Sequence, residues 1–224
     1  MDHVRTDVAG GLVLELARTI AANRAYLSEL DGATGDGDHG INMAKGFLGA
    51  AQKLAPVPPL GAALAVVGET LFDDVGGAMG PLYGAFFTHM AEVVADRPEL
   101  DGPLFSAMLA AAQSAVQELG GAQVGDKTLL DTLAPARAAF EAAQRAGLSF
   151  AESLDRMAAA AREGRDSTRA LVARVGRASR LGERSRGQLD AGATSCCLIL
   201  EVMSGWLRGV MAEASAGAGA SSGP

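Results

Sequence analysis

Between Asp7 and Leu30 the apolar positions Val8, Leu12, Leu16 and Ile20 recur every four residues, with Val13 and Leu27 on or beside the same stripe. That spacing predicts an amphipathic helix of about six turns that delivers Asp31 at its end. A second helix opens at Ile41 and runs to about Leu54, where Ala-Pro-Val-Pro-Pro stops it. Further helical patterns cover Leu60–Asp74, Pro81 to about Ala95, Leu104–Leu119, Leu130–Ala146, Ser149 toward Val175, and Thr194 to about Val210. The last is apolar nearly all round, which suits an interior helix. No stretch alternates convincingly as a strand, and nothing repeats at a fixed period.

These elements predict an all-α fold of eight helices. Short connections favour antiparallel neighbours. Glycine-rich turns at 31–40, 76–80, 125–128 and 176–192 fall at every second connection, so an up-down array gathers all four at one end. Residues 1–212 read as one domain, and 213–224 as an Ala/Gly/Ser tail without fixed structure.

Composition agrees with packed helices: 49% of residues are apolar but only 4% aromatic, so Ala, Leu and Val fill the core. A net charge of −7 argues against nucleic acid as a partner. One window runs the other way, with Arg162, Arg165, Arg169, Arg174, Arg177, Arg180, Arg184 and Arg186 opposed only by Glu163, Asp166 and Glu183. It reads either as a solvated face or as an anion- or partner-docking edge. Adjacent Cys196 and Cys197 point apart on a helix and are expected as buried, reduced thiols. No signal peptide precedes the first helix, and no uncharged apolar stretch approaches membrane-spanning length. The expected location is the cytoplasm, with no membrane partner.

The chemistry concentrates in Asp31-Gly-Ala-Thr-Gly-Asp-Gly-Asp-His-Gly-Ile-Asn-Met43. Asp31, Asp36 and Asp38 repel one another unless a cation lies among them, and hard divalent ions prefer such oxygens. A helix opening directly afterwards points free N–H groups and its positive end back at the loop, which suits phosphate. A helix cap plus turn would explain one such aspartate; three, followed by His39, Gly40 and Asn42, point to a metal–nucleotide site. Competing motifs fail. Gly35-x-Gly37-x-x-Gly40 lacks the strand a dinucleotide fingerprint needs, and Gly120 to Thr128 lacks both the P-loop spacing and its strand. Twelve-residue calcium loops counted from Asp31 or Asp36 end on Asn42 or Phe47 instead of an acid.

Four segments occur in order: Asp36-Gly-Asp-His-Gly-Ile-Asn-Met, Gly76-Gly-Ala-Met-Gly-Pro-Leu-Tyr-Gly84, Gly125-Asp-Lys-Thr, and Arg177-Ala-Ser-Arg-Leu-Gly-Glu-Arg-Ser185 with Asp190-Ala-Gly-Ala-Thr-Ser195. Together they resemble the nucleotide-binding L subunit of dihydroxyacetone kinases, over nearly the whole chain. The resemblance implies an eight-helix antiparallel barrel with the nucleotide capping one end. It implies that Asp31, Asp36 and Asp38 hold two magnesium ions on the phosphates of ADP or ATP. His39, Gly40, Ile41, Asn42, Gly77, Ala78 and Met79 match phosphate and nucleotide contacts, and Gly121, Thr128, Leu130, Arg177, Asp190, Ala191 and Gly192 match the region around base and sugar.

In that family a partner K-type subunit carries the ketose, so this chain is expected to transfer phosphate only with such a partner. An M-type phosphotransferase-system subunit is a further expected partner if ADP is retained, and a homodimer is left open. Three departures stand out: Met79 replaces a serine, Arg180 a tyrosine, and Gln188-Leu-Asp-Ala-Gly the family's His-Gln-Asp-Pro-Gly. They keep a second reading alive, a non-catalytic magnesium-ADP sensor docking on a transcriptional regulator or other partner.

Overall fold

The computed structural model describes residues 2–220, with side chains to 216. In chain order the elements are β1 (His3–Arg5), α1 (Thr6–Ala9), α2 (Gly11–Ala22), α3 (Arg24–Gly32), α4 (His39–Gln52), α5 (Leu60–Asp74), α6 (Met79–Val94), β2 (Glu99–Asp101), α7 (Gly102–Gly120), α8 (Leu130–Arg145), α9 (Phe150–Ser167) and α10 (Ala191–Ala220). Two 3-10 segments, Thr168–Ala170 and Arg177–Ser185, lie between α9 and α10.

The eight expected helices become ten among the described residues because the first breaks at Gly10 and Asn23 into α1, α2 and α3. Asn23 sits at φ −95°, ψ 8°, outside helical values. The barrel itself is present. Each of α2, α4, α5, α6, α7, α8, α9 and α10 packs on the next, and α10 packs back on α2, closing a ring of eight staves. The short α3 leans on α4 and α10.

Local sequence sets the boundaries. Asp101 caps α7 by accepting from the Leu104 N–H at 2.9 Å, and Ser149 with Glu152 forms a capping box at the start of α9. α9 ends at Ser167 instead of continuing toward Val175. There the hydroxyls of Ser167 and Thr168 take the carbonyls of Gly164 (2.7 Å) and Arg165 (2.6 Å), which satisfies the helix end and turns the chain away. α10 begins three residues before Thr194 and extends ten past Val210, since alanine continues a helix readily. The expected tail is therefore helical as far as Ala220, and 221–224 lie outside the described residues.

Two strands were not anticipated. β1 and β2 pair antiparallel, Val4 against Leu100, and at three residues each are too short to show alternation. Ala191–Ala216 is long and apolar enough to cross a bilayer by length and composition alone, but Glu201 and Arg208 divide it, in keeping with the expectation that no uncharged run reaches that length. In the barrel it is the stave that closes the ring, with Cys196, Cys197, Ile199, Leu200, Met203 and Leu207 buried. Both cysteines are free thiols. The scarce aromatics are grouped: Phe47, Phe86 and Phe87 meet edge to face on one side, and Phe105, Phe140 and Phe150 on the other.

Candidate functional site

In an up-down ring alternate helices start at the same end. Here α4, α6, α8 and α10 all open on one mouth, so four positive helix ends and their unpaired N–H groups converge on it. The mouth is a cleft of about 520 Å³ walled by all four glycine-rich connections. The sequence-level expectation that these loops share a rim is met.

Asp31, at the end of α3, and Asp36 and Asp38, in the following loop, bring carboxylate oxygens within 4.8 Å of one another. Asp31 also accepts from the His39 N–H at 3.3 Å, which ties the end of α3 to the start of α4. The tie depends on Gly40: a β-carbon there would lie 2.0 Å from the Arg24 carbonyl oxygen. Three carboxylates in such proximity fit a hard divalent cation by donor chemistry and spacing. The Arg177 guanidinium lies beside the same carboxylates: it pairs with Asp36 and is 3.9 Å from Asp38.

Beneath this cluster His39 is buried, and its Nε2 meets Ser195 Oγ at 2.9 Å. Ser195 in turn meets Tyr83 Oη at 2.7 Å, and the phenol lies 3.1 Å from the Gly192 carbonyl. Burial pushes the His39 pKa down to about 4, so the ring is a neutral imidazole near neutrality. Burial drives the Tyr83 hydroxyl well above its ordinary value, so it remains a phenol.

Asp190, preceding α10, is pushed up to about 6, first by burial; the Ala193 N–H, 2.7 Å from its Oδ2, and the Lys127 charge pull the other way. A carboxyl raised in the folded state adds stability that is fully present below its unfolded value of about 3.9 and is lost as pH rises through about 6. Asp190→Asn keeps the cap without the titration. Relative to wild type it should gain roughly 3 kcal/mol between pH 4 and 7, read from denaturant unfolding across that range. A constant difference between the two proteins would show that Asp190 does not titrate with a raised value.

Thirteen of the positions read from sequence line the cleft: Asp31, Asp36, Asp38, His39, Gly77, Ala78, Met79, Thr128, Leu130, Arg177, Asp190, Ala191 and Gly192. Four do not. Gly40 packs against α3, Ile41 and Asn42 lie beyond the wall in α4, and Gly121 is the left-handed C-cap of α7 between the lining residues Gly120 and Ala122. Sequence reasoning gave no role to Tyr83, Ser195 or Lys127, although each lies inside a segment that carried the resemblance. The arginine-rich window also resolves: Arg162, Arg165, Arg174, Arg177 and Arg186 reach carboxylates, while Arg169, Arg180 and Arg184 are exposed and form no ion pair among the described residues.

A helical barrel whose mouth joins an acidic triad to four helix N-termini has a site whose chemistry suits a divalent cation beside an anion. Comparison supplies the family: residues 33–205 match the DAK2 domain, and the chain belongs to that family. It is 35% identical over 200 residues to the "PEP-dependent dihydroxyacetone kinase 2, ADP-binding subunit DhaL" of Listeria innocua, covering 87% of this chain and 91% of that one. It is 34% identical over 196 residues to an L-erythrulose kinase of Pectobacterium atrosepticum, covering 85% of this chain and spanning 33% of that protein. The dihydroxyacetone kinase of C. freundii, solved in complex with AMP-PNP and Mg2+, superposes with a TM-score of 0.66 at 24% identity over 91% of this chain and 35% of that one. That last likeness is one of fold.

Proposed function

We propose that this chain is the nucleotide-binding phosphotransfer subunit of a short-ketose kinase. It binds ADP or ATP with magnesium and passes the terminal phosphoryl group to dihydroxyacetone, or a related ketose, carried by a K-type partner subunit. The observation that carries this reading is the acidic triad set among four converging helix N-termini, a combination that suits a polyphosphate chelated by a divalent cation. Asp31, Asp36 and Asp38 would hold two magnesium ions. Bound there, magnesium neutralises phosphate charge and orients the group to be transferred.

The chain's own residues do the rest. The first-turn N–H groups of α4 and α6 offer donors to phosphate oxygens, with Met79 at the α6 start partly buried against the core. The neutral His39 ring is held by Ser195 and contributes a hydrogen bond without a charge. Arg177 brings a guanidinium to the same spot, where it can balance phosphate charge. Leu82, Val116, Leu119 and Leu130 give the cleft an apolar side suited to a flat base. Relatives named as an ADP-binding subunit and as an erythrulose kinase support the nucleotide and leave the ketose open between three and four carbons.

Mixing the chain with a K-type subunit, ketose and ATP tests the proposal. Turnover with ATP alone identifies exchange of the nucleotide. Turnover only with phosphoenolpyruvate, the general phosphotransferase proteins and an M-type subunit identifies retained ADP. Tight magnesium-ADP binding with no transfer in either mixture would replace the kinase reading with a sensor. Met79→Ser should hold or raise affinity for magnesium-ADP, since it adds a hydroxyl donor at the α6 start. A clear loss by calorimetry would mean that the thioether is fitted to its own ligand.

A further inference from the structure

The segment from Thr168 to Gln188 is 3-10 turns and irregular backbone, yet it must carry Arg177 to a defined place at the mouth. Its main chain needs partners that helices and strands would otherwise supply. Lys127 supplies four of them, beside the Gly187 N–H on the Arg169 carbonyl (2.8 Å) and the Ala173 N–H on Ser185 Oγ (2.9 Å). The buried Lys127 ammonium donates to the carbonyl oxygens of Ser185 and Gln188 at 2.7 Å and of Thr168 at 2.8 Å, with that of Leu171 at 3.3 Å. Three short contacts match its three N–H donors.

The turn bearing this lysine is built to aim it. Lys127 has φ 65°, a left-handed conformation that side chains resist; among the described residues other than glycine only Asp96 shares a positive φ. The Asp131 carboxylate holds that turn by accepting from the N–H groups of Gly125 (2.6 Å) and Thr128 (2.8 Å). The four carbonyls come from both ends of the segment, so one side chain draws its beginning and its end together. Arg177 lies in the span between.

We propose that Lys127 is a positioning residue: its ammonium gathers the carbonyls of Thr168, Leu171, Ser185 and Gln188 and thereby sets Arg177 against Asp36 and Asp38. Its bearing on phosphoryl transfer rests on the function proposed above; its bearing on the segment does not.

Lys127→Met keeps an unbranched stem as far as Cε and removes the ammonium. Lys127→Ala removes Cγ to Nζ, the atoms of propylammonium. In the full-length chain without nucleotide, trypsin cleavage after Arg177, Arg180 and Arg184 should quicken at least tenfold in both variants. Propylammonium, but not propanol at the same concentration, should return Lys127→Ala toward the wild-type rate. Should Lys127→Met fail to fold, Lys127→Ala refolded with propylammonium and then freed of it gives the same readout. With K-type partner and ketose, kcat should fall at least tenfold while the nucleotide KM moves less than threefold, and propylammonium should restore kcat in Lys127→Ala. Wild-type cleavage rates in Lys127→Met, a cleavage rise that propylammonium leaves untouched, or an unchanged kcat in a chain cut faster would each overturn the proposal. A wild-type chain that transfers no phosphate in any mixture would instead sink the kinase reading, and the cleavage rates would still decide the role of Lys127.

Discussion

Asp36→Ala and Asp38→Ala should each weaken magnesium-dependent nucleotide binding by at least about a hundredfold, the scale expected when a cation loses a direct ligand and not merely a supporting residue. The same variants should melt at or slightly above the wild-type temperature when magnesium is absent. Both halves follow from one geometry. Three carboxylates with oxygens within 4.8 Å repel one another, and removing one relieves that repulsion. The ion pair that Arg177 makes with Asp36 is half exposed, and pairs of that kind contribute only about 0–1 kcal/mol. Calorimetric titration with magnesium-ADP, beside a thermal melt in a chelator, reads both quantities. Unchanged affinity in either variant would remove that carboxylate from the site.

Gly40→Ala should act through the backbone. A β-carbon at this position would stand 2.0 Å from the Arg24 carbonyl oxygen and 2.8 Å from the Ser28 amide nitrogen, so α3 and α4 must separate to admit it. Overpacking against main chain costs about 1–3 kcal/mol, with the upper end expected where no flexible side chain can yield. The separation also pulls Asp31 from Asp38, because these lie on the two helices' facing ends. Loss of stability and loss of magnesium-nucleotide binding should therefore arrive together, in contrast to the aspartate variants. Denaturant unfolding together with titration distinguishes the two cases; a Gly40→Ala chain of wild-type stability would show that the helices have room to spare.

Much of this architecture was legible along the chain. Every ring helix was anticipated because the core is one-sided for most staves, so Leu12, Leu16 and Ile20 mark a face, and because prolines and glycines punctuate the connections. The acidic triad stood out since all its members lie within eight residues. What escaped notice depends on contacts between distant parts of the sequence. Ser195 meets His39 across 156 positions, and Lys127 meets Ser185 across 58; neither pairing leaves a local periodicity. The end of α9 was misplaced for a similar reason. The Arg-rich pattern continues past Ser167 as though helical, but hydroxyls and the Lys127 ammonium claim the carbonyls there. The break at Asn23 escaped because Leu27, seven residues after Ile20, still falls on the same helical stripe although Arg24 lies between them.

Ring closure joins the first long stave to the last, since α10 seals against both α2 and α9. The same α10 contributes Gly192 to the mouth, and its Ser195 reaches His39 beneath it. A nascent chain therefore cannot assemble its pocket until the final helix has docked, and a mature one cannot loosen that helix without dismantling the pocket. Occupancy and global folding are then thermodynamically linked: saturating magnesium nucleotide should raise the melting temperature of the entire barrel as a single cooperative transition, not merely quiet the rim.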